Sequence, residues 1–257
     1  MNWNHFIYFA SGALLLWIAG VTALYLSKKG TAGKILIGAG IALFSTFIAG
    51  LWIDQGYPPL RTMGDTRLWY SLFIILVGFT TYLRWGYKWL TGYSTLVSAV
   101  FIVINILKPE LHRTNLMPAL QSVWFVPHVT VYILSYALLG AATIASFIAI
   151  KEIKAKNERL LPLIDNLVYV GFGFLMLGML MGAIWAKEAW GDYWTWDPKE
   201  IWAFITASAY LVFIHSRRRS FNLKYVLWLL PVAFLLLMIT WIGVNYLPAA
   251  QGSIHVY

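Results

Sequence analysis

Five of the chain's 14 tryptophans, Trp185, Trp190, Trp194, Trp196 and Trp202, fall in one stretch, WAKEAWGDYWTWDPKEIW, together with Asp197 and Glu200. Indole faces suit a flat, apolar, polarisable ligand through area burial and stacking. Tryptophans also gather at membrane interfaces without any ligand. A belt of that kind is spread over the ends of all spans, whereas these five crowd a single connection. The stretch therefore reads as an aromatic platform for a large planar ligand. Part of it has an ordinary structural duty. Asp197-Pro198-Lys199-Glu200 has the pattern of a helix start, with a side-chain acceptor, a proline at the first helical position and an acid in the capping-box place.

Five histidines accompany the tryptophans. His128 opens one apolar run and His255 follows the last one, both on the side of the Trp-rich stretch. Either alone is an ordinary interfacial residue. Together with an indole platform they suggest two neutral imidazoles on opposite faces of a flat ring system, the axial ligation of haem iron. Zinc fits less well, because it wants three or four clustered ligands. His215 ends a further run about 26 Å below the platform at 1.5 Å per residue, at the opposite membrane face. There it reads either as an interfacial histidine or as a functional group at the edge of a span. His5 and His112 receive no role. Arg61, Arg67, Lys187 and Lys199 are the cations on the platform side that could pair with haem carboxylates.

The elements that must hold these residues are apolar. Hydrophobic residues make up 60% of the 257-residue chain and charged residues 11%. Eight runs approach the ~20 residues needed to cross ~30 Å of hydrocarbon as helices. They cover about Phe6–Leu26, Lys34–Ile53, Leu68–Trp85, Trp89–Leu107, Pro127–Ile150, Asp165–Trp185, Pro198–His215 and Tyr225–Val244. The expected fold class is all-α, a polytopic membrane bundle of about eight helices with the Trp-rich loop, residues 185–202, on its outer face. Two parts are expected, four spans over residues 1–126 and a core over 127–257. Gly178 and Gly182 form a small-xxx-small pair suited to close helix packing. The first run lacks the basic flank and cleavage site of a signal peptide.

Thirteen of the nineteen Lys and Arg residues occupy one set of alternating loops. The positive-inside rule makes that set cytoplasmic and puts both termini and the Trp-rich loop outside. The formal charge of +9 is thus a topogenic signal, and no nucleic-acid patch is expected. The chain has no cysteine, which excludes disulfides, thiolate ligands and dithiol redox work by the chain itself.

W-A-K-E-A-W-G-D-Y-W-T-W-D-P-K-E resembles the WWD signature of the haem-handling proteins of cytochrome c maturation. The resemblance is most specific to the CcsA (ResC-like) proteins of system II; CcmC and CcmF share the signature. It extends to H-V-T-V-Y-I-L-S-Y-A-L-L-G from His128, I-H-S-R-R-R at His215 and N-Y-L-P-A-A-Q-G-S-I-H-V-Y with His255, together the C-terminal half. It implies that His128 and His255 ligate haem b beside the loop and that His215 receives haem nearer the cytoplasm. It also implies that Trp185, Trp190, Trp194, Trp196, Asp197 and Trp202 belong to the cofactor site. The implied partners are a ResB/CcsB-like membrane protein, apocytochrome c, a thioredoxin-like thiol-reducing protein and the lipid bilayer. The implied location is a bacterial inner membrane or a thylakoid membrane. The implied activity is that of a cytochrome c synthase subunit, which delivers haem outward and presents it for thioether attachment to Cys-x-x-Cys-His. A multi-span transporter or quinone-binding subunit with a tryptophan-lined pocket is the rival reading.

Overall fold

The computed structural model describes residues 1–112, 122–152, 158–219 and 221–248. They form eight long helices: α1 (Phe6–Leu26), α2 (Thr31–Gln55), α3 (Met63–Trp85), α4 (Lys88–Leu107), α5 (Phe125–Glu152), α6 (Leu161–Trp190), α7 (Pro198–Arg217) and α8 (Leu223–Trp241). Short 3₁₀ turns at Trp3–His5, Pro109–His112 and Gly243–Tyr246 flank them, and there is no strand among the described residues. The fold is thus the expected all-α polytopic membrane bundle. Every helix except α7 is long and apolar enough to cross a bilayer. α7 has the length, 20 residues or about 30 Å. Lys199, Glu200, Thr206, Ser208 and His215 dilute its apolar character.

The chain divides into two compact units, Met1–Leu120 and Gln121–Tyr257. In the first, α1 and α2 meet around Trp17, Phe44 and Phe47, all fully buried. A Cβ on Gly40 would lie 2.6 Å from the Trp17 ring, so glycine is needed where that indole crosses. α3 begins at a capping box in which Thr62 accepts from the Asp65 amide and Asp65 accepts from the Thr62 amide. α3 and α4 are joined by polar contacts. Ser98 Oγ donates to the Ser71 carbonyl at 2.7 Å and Asn105 Nδ2 donates to the Gly64 carbonyl at 3.0 Å. In a medium without water such bonds add to van der Waals packing as helix glue.

In the second unit α5 and α6 form the central pair. An alanine-rich strip of α5 (Ala137, Ala141, Ala142, Ala145) is buried. The facing helix offers glycines. Ser135 Oγ donates to the Gly171 carbonyl at 2.7 Å, and a Cβ on Gly171 would lie 2.8 Å from Leu139. α8 packs on α5 through Tyr136–Trp241 and Phe147–Trp228 ring contacts. Pro231 within α8 cannot donate to the Leu227 carbonyl one turn back. Thr206 and Thr240 share a hydrogen bond of 2.9 Å between α7 and α8. The ends of α6 and α7 are tied by a two-pronged ion pair, Arg217 Nε and Nη2 to the Asp165 carboxylate, at 3.0 Å each.

The Trp-rich stretch is less of a loop than its composition suggests. α6 continues through Trp190, and α7 starts at Pro198. Only residues 191–197 connect them.

Candidate functional site

His128 lies in the first turn of α5, and its ring fits a notch in α6. Nδ1 is 2.8 Å from the Gly178 carbonyl oxygen. A carbonyl only accepts, so Nδ1 carries the hydrogen. In the neutral ring the lone pair then sits on Nε2. The notch exists because residues 178 and 182 have no side chains. A Cβ on Gly182 would lie 2.7 Å from His128 Cε1 and 2.8 Å from Nδ1, and a Cβ on Gly178 would lie 2.5 Å from the Tyr132 ring. The small-xxx-small pair therefore seats an imidazole and a phenol. Ring contacts complete the setting: Tyr132 edge-on at 4.6 Å and Trp185 tilted at 5.6 Å. A histidine whose second nitrogen is fixed by a backbone carbonyl is how metal-ligating imidazoles are commonly oriented.

Trp185 is 2% exposed and is wedged between Phe125, His128 and Trp190, with ring centroids 5.1, 5.6 and 4.8 Å away. It backs the histidine from inside the unit. Trp190 closes the last turn of α6, half-buried. Gly191 follows with φ 95°, a backbone that suits glycine, and its N–H donates to the Lys187 carbonyl at 3.1 Å. Lys187 also reaches forward: its Nζ donates to the Gly191 carbonyl and lies 5.5 Å from the Tyr193 ring centroid.

Trp196 stands at the far side of the connection, 60% exposed. Its φ is 59°, and it is the only non-glycine residue with positive φ among the described residues. That conformation costs an L-residue about 1–2 kcal/mol. The offsetting interaction comes from Glu200. Its Oε2 accepts from the Thr195 amide at 2.8 Å and the Asp197 amide at 3.1 Å, with Thr195 Oγ1 at 3.4 Å. A hydrogen bond to a charged group is worth about 1.5–3 kcal/mol, so the two amide bonds outweigh the backbone strain. Asp197 caps α7 by accepting from the Lys199 amide at 3.0 Å, and both acids are buried. The Trp196 ring meets Trp194 and Phe204 edge-on, at 5.8 and 6.0 Å. Trp194 keeps a buried indole N–H without an acceptor among the described residues. Trp202 is half-buried in the second turn of α7.

The remaining sequence-derived residues are dispersed or lie beyond view. His215 is exposed near the end of α7, with Nδ1 2.8 Å from the Leu211 carbonyl. His255 lies outside the described residues. Arg61 and Arg67 belong to the first unit, and the Arg61 guanidinium sits over the Tyr57 ring at 3.8 Å. His112 stacks on Trp3 at 3.7 Å and 8°, and His5 bonds Asn2. Sequence reasoning missed Tyr132 and the service Gly182 gives to His128. The spacing of Gly178 and Gly182 signalled a close approach but could not say which side chain approaches.

Residues 6–250 match the model of a family described as cytochrome c assembly protein. The chain belongs to that family. Among individual relatives, the cytochrome c biogenesis protein CcsA of Chlorella vulgaris is 32% identical over 97% of this chain and 95% of its own length. That of Chlamydomonas reinhardtii is 30% identical, covering 89% and 70%. That of Guillardia theta is 32% identical, covering 79% and 78%. A role in cytochrome c biogenesis and a membrane-embedded, all-helical body follow together. The family's work involves haem.

Proposed function

We propose that this family member holds haem on the outer face of the membrane and presents it to apocytochrome c for thioether formation. The observation that carries the reading is the His128 seat. Gly178 fixes the ring's hydrogen on Nδ1, Trp185 backs the ring, and this tautomer puts the acceptor lone pair on Nε2, the kind of donor that iron binds. His255 is the second axial ligand in this reading. Trp190, Trp194, Trp196 and Trp202 contribute the aromatic surroundings of the porphyrin, Trp185 supports it through His128, and Asp197 supports it as the cap that anchors the connection. His215 holds haem transiently near the cytoplasmic face, below the outer site.

Haem is the substrate. The incoming Cys-x-x-Cys-His brings its own histidine, which displaces one of the chain's two imidazoles from the iron, and two thiols to the vinyl groups. Each S–H adds across one C=C: sulfur bonds one carbon, hydrogen the other, and no net electron is exchanged. The chain holds the porphyrin in register with the peptide, and such positioning can supply much of a rate enhancement. Having no cysteine, it depends on a thioredoxin-like protein to keep the substrate thiols reduced and on a ResB/CcsB-like protein as membrane partner. Purified from detergent, the protein carries a bis-histidine haem spectrum, and replacing both His128 and His255 by Ala abolishes it. An unchanged spectrum and haem content in that double variant would end the axial assignment.

A further inference from the structure

We infer that Glu200 is a positioning residue for haem: its carboxylate holds Trp196 in the left-handed conformation that displays the indole. The inference rests on the reading of the connection 191–197 as part of the haem site.

The two amides that flank Trp196, those of Thr195 and Asp197, both point at one oxygen, Glu200 Oε2. Successive N–H groups around a left-handed residue form a concave nest for an anion. Here the chain fills its own nest with a buried carboxylate. In an ordinary capping box the acid three residues on accepts from the N-cap amide alone, while the N-cap side chain accepts from the acid's own amide. The bond from Thr195 is additional, and it closes the backbone around Trp196. A Trp at φ 59° has no local reason to stay there. Without Glu200 it relaxes to negative φ, which re-aims the side chain and breaks its edge contacts with Trp194 and Phe204. Lys187 secures the other end of the same connection through the Gly191 carbonyl and the Tyr193 ring. The short turn is thus held from both neighbouring helices, and the exposed indole between the holds is the part left to meet a ligand.

Haem titration of the full-length, detergent-purified protein tests this, with haem as the probe. Amide hydrogen exchange over residues 191–202 in the haem-free protein runs alongside it. Glu200→Ala speeds exchange at Thr195 and Asp197 and weakens haem binding about tenfold. Glu200→Gln, which keeps an acceptor, recovers most of the affinity. Glu200→Asp keeps the charge but is one methylene short, and it behaves like Ala. In a Trp196→Gly background, where the backbone adopts positive φ unaided, Glu200→Ala adds little further loss. This non-additivity marks action through Trp196. Wild-type affinity in both Glu200→Ala and Glu200→Asp, or the full tenfold loss repeated in the Trp196→Gly background, overturns the inference. A wild-type protein that binds no haem overturns the functional reading beneath it instead.

Discussion

His128 shows how a single side chain is made fit for a task by atoms that are missing. Its orientation depends on Gly182 having no Cβ, and its tautomer depends on the Gly178 carbonyl. Gly182→Ala is the least invasive challenge. The added methyl would sit 2.7 Å from Cε1, so the ring must leave its seat. Haem occupancy should fall at least tenfold while circular dichroism shows unchanged helix content. Gly178→Ala attacks Tyr132 instead and should cost about 1–3 kcal/mol of stability through overpacking, read as a lower unfolding temperature. His112 offers a pH prediction. Burial beside Trp3 holds its proton affinity below the usual histidine value, partly offset by the Glu110 charge and a hydrogen bond to the Asn105 carbonyl. The unfolded chain then binds the proton more readily than the folded one, so stability rises with pH across the window just below about 6.5. Acidifying through that window should lower the unfolding midpoint, and His112→Gln should flatten the dependence.

Helices carry these residues, and hydropathy located them well while misplacing their ends. Apolar runs stop where lipid stops, but helices continue. Ala186-Lys187-Glu188-Ala189 is made of good helix formers, so α6 runs on to Trp190 although its last turn is polar. The start of α7 was readable because the acids of a capping box stand at fixed spacing, and Asp197 and Glu200 do form one. The left-handed Trp196 was not readable, since no local preference puts tryptophan there. It takes a carboxylate from the next helix, and only the folded chain shows that contact. The seat of His128 was hidden for a similar reason: which ring meets which glycine depends on the register of α5 against α6. The far ends of α6 and α7 are joined by Arg217 and Asp165, whose side chains are 21% and 27% exposed. At such a partly buried site Asp165→Asn should cost about 1 kcal/mol. It should loosen exchange in the last turn of α7 and leave the His128 spectrum unaltered.

At the scale of the molecule, seven helices fit for a bilayer among the described residues and a marked Lys/Arg asymmetry in the sequence make membrane topology the property that organises function. The absence of cysteine makes it simple to test. Asp192→Cys, beside the Trp-rich turn, should react with a membrane-impermeant maleimide added outside intact cells. Arg219→Cys, after α7, should react only when the membrane is opened. The reverse pattern would place the proposed haem site on the wrong side for meeting an exported apocytochrome.

The most direct trial is a ligand replacement at the seat itself. His128→Gly leaves a gap into which free imidazole fits. The purified variant should lose the bis-histidine absorption bands of the wild type and regain them when imidazole is added. Bands that survive in His128→Gly without imidazole would mean that iron is held elsewhere, and that the imidazole between Gly178 and Trp185 has only a packing role.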